Sequence, residues 1–416
     1  MQAVEREAAQ LARQLHAAPP RQQAHMATAL VKFCNRQPQG REWQDAAGRA
    51  AVVAAMVQAV KVGGAALQQE AIDALGYLVS EHHGNKSAAV AAGAVPHLIQ
   101  LTKSSNASLQ GLAVRALGCL VSHHPDNQSA VAAAGAIPHV MQLTKSSNAA
   151  LQQEAACTLG YLVSHHPDNQ SAAAAAGAIP RVMQLLTKSS NASLQEAAAG
   201  ALGNLVVYHN DNQTAAAAAG AISHVIRLTK SSNASLQGFA VVALGQLVFN
   251  HHGNQSAAAA EGAIPHVMQL LTKSSNAALQ QEAACTLGYL VSQHHDNQSA
   301  AVAAGAAPLL TQLTNSSNAA VKDNAIQALA RLSLGPNGTW ASPPTLDLNP
   351  LFAAAASAAP APVLLVAMHC MDGDRPQTAV QMDKDFQDLC IFFKFAASCS
   401  MIHSPNDVNR VHLSVK

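Results

Sequence analysis

The chain has 416 residues, a formal net charge of +1 and only 11% charged residues, so it has no overall field that would attract nucleic acid or an anionic membrane. Hydrophobic residues make up 49% of the sequence but aromatic residues only 3%, and this predicts a core of small side chains between closely packed helices. The seven scattered cysteines indicate no disulfide framework, and the first residues lack the apolar run of a signal peptide. We therefore expect a cytoplasmic or nuclear protein.

Residues 1–50 come before the repeated part of the chain and are predicted to form a helical amino-terminal cap. Residues 51–334 repeat one pattern, in which GAIPHVMQL is followed by TKSSNAALQQEA, LGYLVS and a histidine-rich segment such as HHPDNQ. The glycine of this pattern recurs every 42 or 43 residues, at Gly93, Gly135, Gly177, Gly220, Gly262 and Gly305. A period of this length predicts a solenoid of stacked repeats, each of which buries an apolar face against the next.

Three helices are predicted in each repeat. Before Gly177, Asp168 and Asn169 are predicted to cap a short first helix, and the glycine is predicted to end it. Pro180 indicates the first turn of a second helix, and ALQQEAACTLGYLVS at 150–164 is predicted to be a third, longer helix. The core side of this third helix is predicted from its apolar residues at helical spacing, which are Leu151, Ala155, Leu159, Leu162 and Val163.

A glycine lies inside each third helix, at Gly76, Gly118, Gly160, Gly203, Gly245 and Gly288. Glycine costs a helix interior about 1 kcal/mol relative to alanine. We therefore expect a neighbouring helix to approach closely at this position.

The paired histidines, as in HHPDNQ at 123–128 and 165–170, suggest a metal site at first reading. Adjacent residues on a helix point about 100 degrees apart, so one pair cannot present both rings to one metal. The histidines are instead predicted to end the third helix, where they favour the helix dipole, while Pro125 and Pro167 stop it. Metal binding or pH sensing is the alternative, and no metal site is predicted.

These segments resemble the armadillo repeat family, in which GAIPxLVxLL, NxxLQxxA and ALxNL segments mark the second and third helices. The resemblance implies an all-α, right-handed solenoid of about seven three-helix repeats over residues 51–334. It also implies that the third helices line a concave groove, which holds an extended or helical segment of another protein. The expected function is therefore that of a non-catalytic scaffold or adaptor.

The predicted groove residues are the outward positions of the third helices: Glu70, Asp73, Tyr77, Arg115, Glu154, Tyr161, Asn204, Gln246, Glu282, Tyr289 and Arg331. Tyrosine accompanies glutamate in repeats one, three and six, and this predicts a partner segment with basic residues. The alternative is that Tyr77, Tyr161 and Tyr289 only fill gaps between neighbouring third helices.

Two specialised forms of the family match poorly. Importin-α binds basic signals with tryptophan and asparagine pairs on this face, whereas only Asn204 stands at the asparagine position here and its partner is Gly200. β-Catenin holds acidic peptides with rows of basic residues, and only Arg115 and Arg331 occupy such positions. An importin-like transport adaptor for basic signals remains an alternative. A tether to acidic lipid or nucleic acid is another, through a row formed by Lys103, Lys145, Lys188, Lys230 and Lys273.

No phosphate-binding glycine loop, zinc spacing or Ser-His-Asp set stands out from the repeat consensus, so neither a catalytic residue nor a cofactor is predicted. Armadillo ubiquitin ligases carry a U-box upstream, whereas about 50 residues precede the array here. Vacuolar armadillo scaffolds use an amino-terminal acylated glycine, whereas position 2 is Gln2.

Residues 335–416 lack the repeat pattern and are predicted to be a linker and tail. The apolar stretch 351–368 is mostly alanine and is broken by two prolines, so it is not expected to span a membrane, and 378–396 is compatible with one amphipathic helix. A partner-binding extension, an autoinhibitory cover for the groove and an error in the gene model remain open for this tail.

Overall fold

The computed structural model describes residues 2–36, 41–49, 51–80 and 82–333, and all regular secondary structure in these ranges is helical. The predicted all-α repeat fold is therefore confirmed. The chain divides into two compact units, the first comprising Met1–Leu247 and the second beginning at Val248. The predictions for 335–416, including the stretches 351–368 and 378–396, lie outside the described residues.

The first unit begins with five helices that precede the first complete sequence repeat: α1 (Gln2–Ala17), α2 (Pro20–Asn35), α3 (Arg41–Arg49), α4 (Val52–Val62) and α5 (Ala65–Val79). The amide of Gln44 on α3 donates to the main-chain oxygens of Tyr77 and Ser80, at 2.8 and 2.9 Å. Gln128 of a later repeat makes the same two bonds, to Tyr161 and Ser164. Helix α3 therefore takes the place of a first helix, and α4 and α5 those of a second and third. The boundary predicted at residue 50 stays a prediction.

Four three-helix repeats follow: α6 (His83–Ala91), α7 (Ala94–Leu101) and α8 (Ala107–Val121); α9 (Pro125–Ala133), α10 (Ala136–Leu143) and α11 (Ala149–Val163); α12 (Pro167–Ala175), α13 (Ala178–Lys188) and α14 (Ala192–Val206); α15 (Asn210–Ala218), α16 (Ala221–Leu228) and α17 (Ala234–Val248), which ends at the unit boundary. The second unit contains two repeats: α18 (His252–Ala260), α19 (Ala263–Lys273) and α20 (Ala277–Val291); α21 (His295–Ala303), α22 (Ala306–Leu313) and α23 (Ala319–Ser333).

The helix boundaries follow from local chemistry at two recurring positions. Gly177 has φ +81°, a left-handed conformation that a residue with a Cβ adopts at a cost, and it ends α12 and precedes α13 as predicted. Asn148 caps α11, because its side-chain oxygen accepts from the backbone N–H groups of Ala150 and Leu151 at 3.0 and 3.2 Å. In the six repeats from α6 to α23, the third helices therefore begin at an asparagine side-chain cap and the second helices at a glycine turn, whereas α5 follows Gly64 without a side-chain cap.

The histidines do not end the third helix, and this prediction was wrong. Helix α11 ends at Val163, and His165 is a single left-handed residue with φ +52°. His166 is the N-cap of α12, since its Nδ1 accepts from the Asn169 N–H at 3.4 Å and its Nε2 lies 2.8 Å from the hydroxyl of Ser129 in the preceding repeat. The same cap is formed by His82, His124, His209, His251 and His294.

The prediction that Asp168 and Asn169 cap the first helix was therefore also wrong, because both lie inside α12. Pro125 and Pro167 do not stop a third helix but open a first helix. A proline fits there because the first amides of a helix have no intrahelical acceptor.

Asn169 joins α12 to the preceding repeat, and Gln170 joins it to the third helix of its own repeat. The Asn169 amide donates to the oxygens of Leu162 and of Gln128, at 2.8 and 3.3 Å. The Gln170 amide donates to the oxygens at the carboxyl end of the next third helix. Both side chains are almost fully buried, so these bonds satisfy polar groups that have no access to water.

The core stripe predicted for the third helix is confirmed, since Leu151, Ala155, Leu159, Leu162 and Val163 are all buried. The close approach expected at the third-helix glycines is found at four of them. A Cβ added at Gly118 would lie 2.8 Å from the Thr158 hydroxyl. At the other three glycines it would lie near a Cα of the next third helix: 3.3 Å from Ala201 for Gly160, 3.7 Å from Ala243 for Gly203 and 3.3 Å from Ala328 for Gly288.

At Gly76 this expectation was wrong, because nothing lies within 4 Å of its Cβ position. The next third helix, α8, does not approach α5 closely at that point, so packing does not require glycine there.

Candidate functional site

The eleven predicted groove residues all lie on third helices, and we call the outward surface of these helices, taken within each unit, the third-helix face. Four of them are exposed: Glu70, Asp73, Arg115 and Tyr161. Seven are half-buried: Tyr77, Glu154, Asn204, Gln246, Glu282, Tyr289 and Arg331. None of the eleven is fully buried, because each stands on the side of its helix opposite to the core stripe.

Asp73 and Arg115 occupy equivalent positions on the neighbouring helices α5 and α8. Their side chains form an ion pair, with Arg115 Nη2 donating to Asp73 Oδ1 at 2.6 Å. Both side chains are about half exposed, so the pair adds little to stability but partly neutralises this part of the face.

The carboxyl groups of Glu154 and Glu282 are each half-buried on identical helices, α11 and α20. Burial raises the pKa of Glu154 above its usual value, and the Arg115 guanidinium partly offsets this effect. Burial likewise raises the pKa of Glu282. The charged form of each carboxylate therefore carries a desolvation cost that an incoming cation reduces.

Tyr161 is 42% exposed, and its Cδ2 lies 3.4 Å from the Cβ position of Gly118 on the preceding third helix. Tyr289 is half-buried, with its ring 4.8 Å from the Phe249 ring and the Arg331 guanidinium 5.0 Å above its centroid. Each ring therefore fills a gap at a neighbouring element, and Tyr161 still presents a large part of its surface to solvent. Whether these tyrosines also bind a ligand stays a prediction.

The cysteines of this face are not activated nucleophiles. Burial, with a smaller contribution from Glu154, raises the pKa of the Cys157 thiol to about 11. Burial also raises the thiol pKa of Cys119 and Cys285. Thiols in such surroundings stay protonated at neutral pH and react poorly.

No three His, Cys, Asp or Glu side chains are grouped closely enough to hold a metal ion within the described ranges. The ring pairs at the histidine segments, such as His252 and His294 with centroids 5.9 Å apart, belong to the capping arrangement. Over the same part of the chain, no helix combines the length and the apolar character needed to cross a bilayer.

The row of lysines near the carboxyl ends of the second helices is exposed throughout: Lys103, Lys145, Lys188, Lys230 and Lys273. Exposed lysines fit a tether to acidic lipid or nucleic acid, and they equally fit an edge that contacts only solvent, so the tether stays a prediction.

The predicted set omits Phe239, which lies on α17 and is 44% exposed. The Phe239 ring lies 3.5 Å from the position that a Cβ on Gly200 would occupy. Phe239 stands seven residues before Gln246, and two helical turns place both residues on the same face. This spacing was the available signal, and it adds an exposed aromatic side chain to the third-helix face.

Comparison with known proteins bears on the fold and the family. Residues 51–287, more than half of the chain, match the sequence profile of the plant U-box protein ARM repeat region. No curated protein sequence matches the chain.

Among solved structures, an engineered protein is similar with a TM-score of 0.68 and 24% sequence identity, over 93% of this chain and 88% of that chain. A designed armadillo repeat protein is similar with a TM-score of 0.53 and 20% identity, over 57% of this chain and 99% of that one. Another designed armadillo repeat protein, solved in complex with the peptide (KR)4, has a TM-score of 0.52 and 21% identity over the same shares. These structures share the armadillo fold with this chain. The profile match over more than half of the sequence shows that the chain belongs to an armadillo-repeat family, the plant U-box protein ARM repeat region.

Proposed function

We propose that this protein is a non-catalytic interaction scaffold, which holds an extended or helical segment of a partner protein on the third-helix face. The observation that carries the proposal is that this face combines an exposed aromatic ring, Tyr161, with a half-buried carboxylate, Glu154, on one helix. A row of equivalent helices presents such side chains at regular intervals, which suits a partner of extended shape.

The chemistry of the face favours a partner with basic residues. A desolvated carboxylate gains from a cation placed beside it, and an exposed tyrosine ring attracts the same kind of group. Glu154 and Tyr161 are seven residues apart, which on a helix is about 10 Å, so they would contact two different basic side chains of the partner.

Two further points support this proposal. A designed protein of the same fold binds the alternating basic peptide (KR)4, although its low identity extends the likeness to the fold alone. The protonated thiols and the lack of a metal-binding group in the described residues favour a binding function over a catalytic one.

The test is a calorimetric titration of the full chain with (KR)4 and with an acidic peptide of equal length, (DE)4. We expect (KR)4 to bind and (DE)4 not to bind. The double variant Glu154→Gln, Glu282→Gln should weaken (KR)4 binding about 30-fold, since each of the two lost charge-assisted contacts is worth roughly 1 kcal/mol at a half-exposed site.

The matched control removes two carboxylates elsewhere, with Asp126→Asn and Asp168→Asn in the first turns of α9 and α12. It should leave the affinity unchanged if binding occurs on the third-helix face. Equal weakening by both double variants would indicate a general charge effect instead. Binding of anionic vesicles that falls steeply with salt and disappears in Lys103→Glu, Lys145→Glu would favour the lysine tether.

A further inference from the structure

Two third helices of the protein have the same sequence. Helices α11 and α20 both read AALQQEAACTLGYLV, and both begin at an asparagine cap. Each therefore displays glutamate, cysteine and tyrosine at the same outward positions, in the first unit as Glu154, Cys157 and Tyr161 and in the second as Glu282, Cys285 and Tyr289. Any functional difference between these two surfaces must come from their neighbours.

The neighbours of the two tyrosines differ at two residues. The Phe249 ring lies 4.8 Å from the Tyr289 ring, whereas Ser122 holds the equivalent sequence position in the first unit, and the second difference lies at the residue that faces the tyrosine from the next third helix. In the second unit this residue is Arg331 of α23, whose guanidinium carbon lies 5.0 Å above the centre of the Tyr289 ring. Arg331 Nη1 also lies 3.1 Å from the Cβ position of Gly288, so the lack of a side chain there leaves room for the guanidinium. This is the geometry of a cation–π contact.

In the first unit the equivalent residue is Asn204 of α14, one repeat after Tyr161. Its amide nitrogen lies 3.5 Å from the Cβ position of Gly160, and its oxygen accepts from the Ser164 hydroxyl at 3.5 Å. Asparagine carries no charge and cannot supply a cation to the ring. Tyr161 is 42% exposed, whereas Tyr289, which contacts both Arg331 and Phe249, is less exposed.

The next third helix also carries larger outward side chains beside Tyr289 than beside Tyr161. On α23 the other outward positions are Asn324 and Gln327, whereas on α14 they are Ala197 and Gly200. Ala197 and Gly200 are small, the Phe239 ring lies 3.5 Å from the Cβ position of Gly200, and Tyr161 itself is 42% exposed. A side chain of a partner can therefore enter from solvent at Tyr161.

We infer that Tyr161 is a subsite for an arginine side chain of the partner, and that Arg331 occupies the corresponding subsite at Tyr289 from within the chain. The residue at position 204 or 331 thus decides whether each copy of the same surface is open or closed. This inference rests on the proposed function, because it assigns one basic residue of the bound segment to one tyrosine.

The first test needs no ligand. Hydroxyl-radical footprinting of the full chain, read by mass spectrometry of peptides that differ beyond residues 164 and 292, measures the reactivity of each tyrosine. Tyr161 should react faster than Tyr289, because more of its side chain is exposed. Arg331→Ala should raise the reactivity of Tyr289, although the Phe249 ring still covers part of it, and Asn204→Arg should lower the reactivity of Tyr161. Lys322→Ala, which removes another cation of α23, should change neither.

The second test adds the peptide (KR)4. It should protect Tyr161 alone in the unmodified chain and both tyrosines in Arg331→Ala, whereas Asn204→Arg should weaken binding by roughly 5- to 30-fold, the loss of one cation–π contact. Gln142→Arg, which adds the same charge on the exposed side of α10, is the control and should retain protection.

Equal reactivity of the two tyrosines in the unmodified chain, or no change in Arg331→Ala, would overturn the closure by Arg331. Binding of (KR)4 that depends on Glu154 but leaves Tyr161 unprotected would overturn the arginine subsite while the proposed function stands. No binding of the peptide at all would overturn both the proposed function and the subsite.

Discussion

Gln170 on α12 donates its side-chain amide to the main-chain oxygen of Asn204, 2.8 Å away in the last turn of α14. The same nitrogen donates to the oxygen of Val207 at 2.9 Å. The last carbonyl groups of a helix have no intrahelical donor, so a glutamine from the first helix of the same repeat supplies one. Gln44, Gln128, Gln213, Gln255 and Gln298 make the corresponding contact in other repeats.

Removal of this glutamine should therefore destabilise the array. Gln170→Ala leaves two buried carbonyl oxygens without their donor and should lower the free energy of unfolding by about 1–3 kcal/mol. Guanidinium denaturation followed by circular dichroism measures the change. Gln142→Ala, on the exposed side of α10, is the control and should shift it by no more than about 0.5 kcal/mol. Equal effects of the two variants would contradict the structural role of Gln170.

The histidine segment makes two opposite predictions at adjacent positions. His166→Ala removes the cap of α12 and the contact with Ser129, so it should destabilise the protein by about 1–2 kcal/mol. His165→Gly should stabilise it by about 1 kcal/mol, since His165 has φ +52° and glycine adopts this conformation without a steric cost. Thermal unfolding of both variants provides the measurement. Destabilisation by His165→Gly would show that the His165 side chain has a role beyond its backbone conformation.

The third-helix glycines provide a matched pair. In Gly118→Ala the new Cβ would lie 2.8 Å from the Thr158 hydroxyl, which itself donates to the Val114 oxygen at 2.9 Å, so α8 and α11 must shift apart. We expect a loss of about 1–3 kcal/mol, as for other overpacked sites. Gly76→Ala meets nothing within 4 Å and should instead gain up to about 1 kcal/mol from helix propensity. A loss of stability in both variants, measured by urea denaturation, would contradict this difference.

Much of the fold could be predicted from the sequence because it depends on contacts within one repeat. The period of the landmark glycines, the glycine turn at Gly177 and the apolar stripe through Leu159 all require only local geometry, and each is confirmed. Pro180 in the first turn of α13 follows from the same local rules and is confirmed, whereas the cap predicted at Asn169 and the helix stops predicted at Pro125 and Pro167 were wrong.

The interactions between repeats could not be predicted in this way. The role of His166 depends on Ser129, which is 37 residues away, and imidazole is not among the usual capping groups. The contact between Arg331 and Tyr289 likewise depends on how α20 and α23 stack, whereas the sequence alone placed Asn204 and Arg331 in equivalent positions. A periodic pattern shows which residues share a face but not which of them meet across two helices.

The pH dependence of stability offers a last prediction, at Glu154. Burial raises the pKa of this carboxyl in the folded protein above its unfolded value, so protonation favours the folded state. The stability from this group is complete below the unfolded pKa and is lost as the pH rises through the folded pKa. Glu154→Gln, which stays neutral, should therefore be more stable than the unmodified chain at pH 7 and equal to it near pH 4. The difference should stay below about 1 kcal/mol, because the carboxyl is only half-buried and solvent screens its charge.

With the peptide bound, the unmodified chain should be more stable than Glu154→Gln at neutral pH. With (KR)4 in excess, a cation beside Glu154 compensates the desolvation cost, so the unmodified chain should gain more stability from the ligand than Glu154→Gln does. Thermal unfolding at pH 7 with and without the peptide measures both effects in one experiment. If Glu154→Gln gained as much stability from (KR)4 as the unmodified chain, the carboxylate would contribute nothing to binding and the partner's cations would have to lie elsewhere on the face.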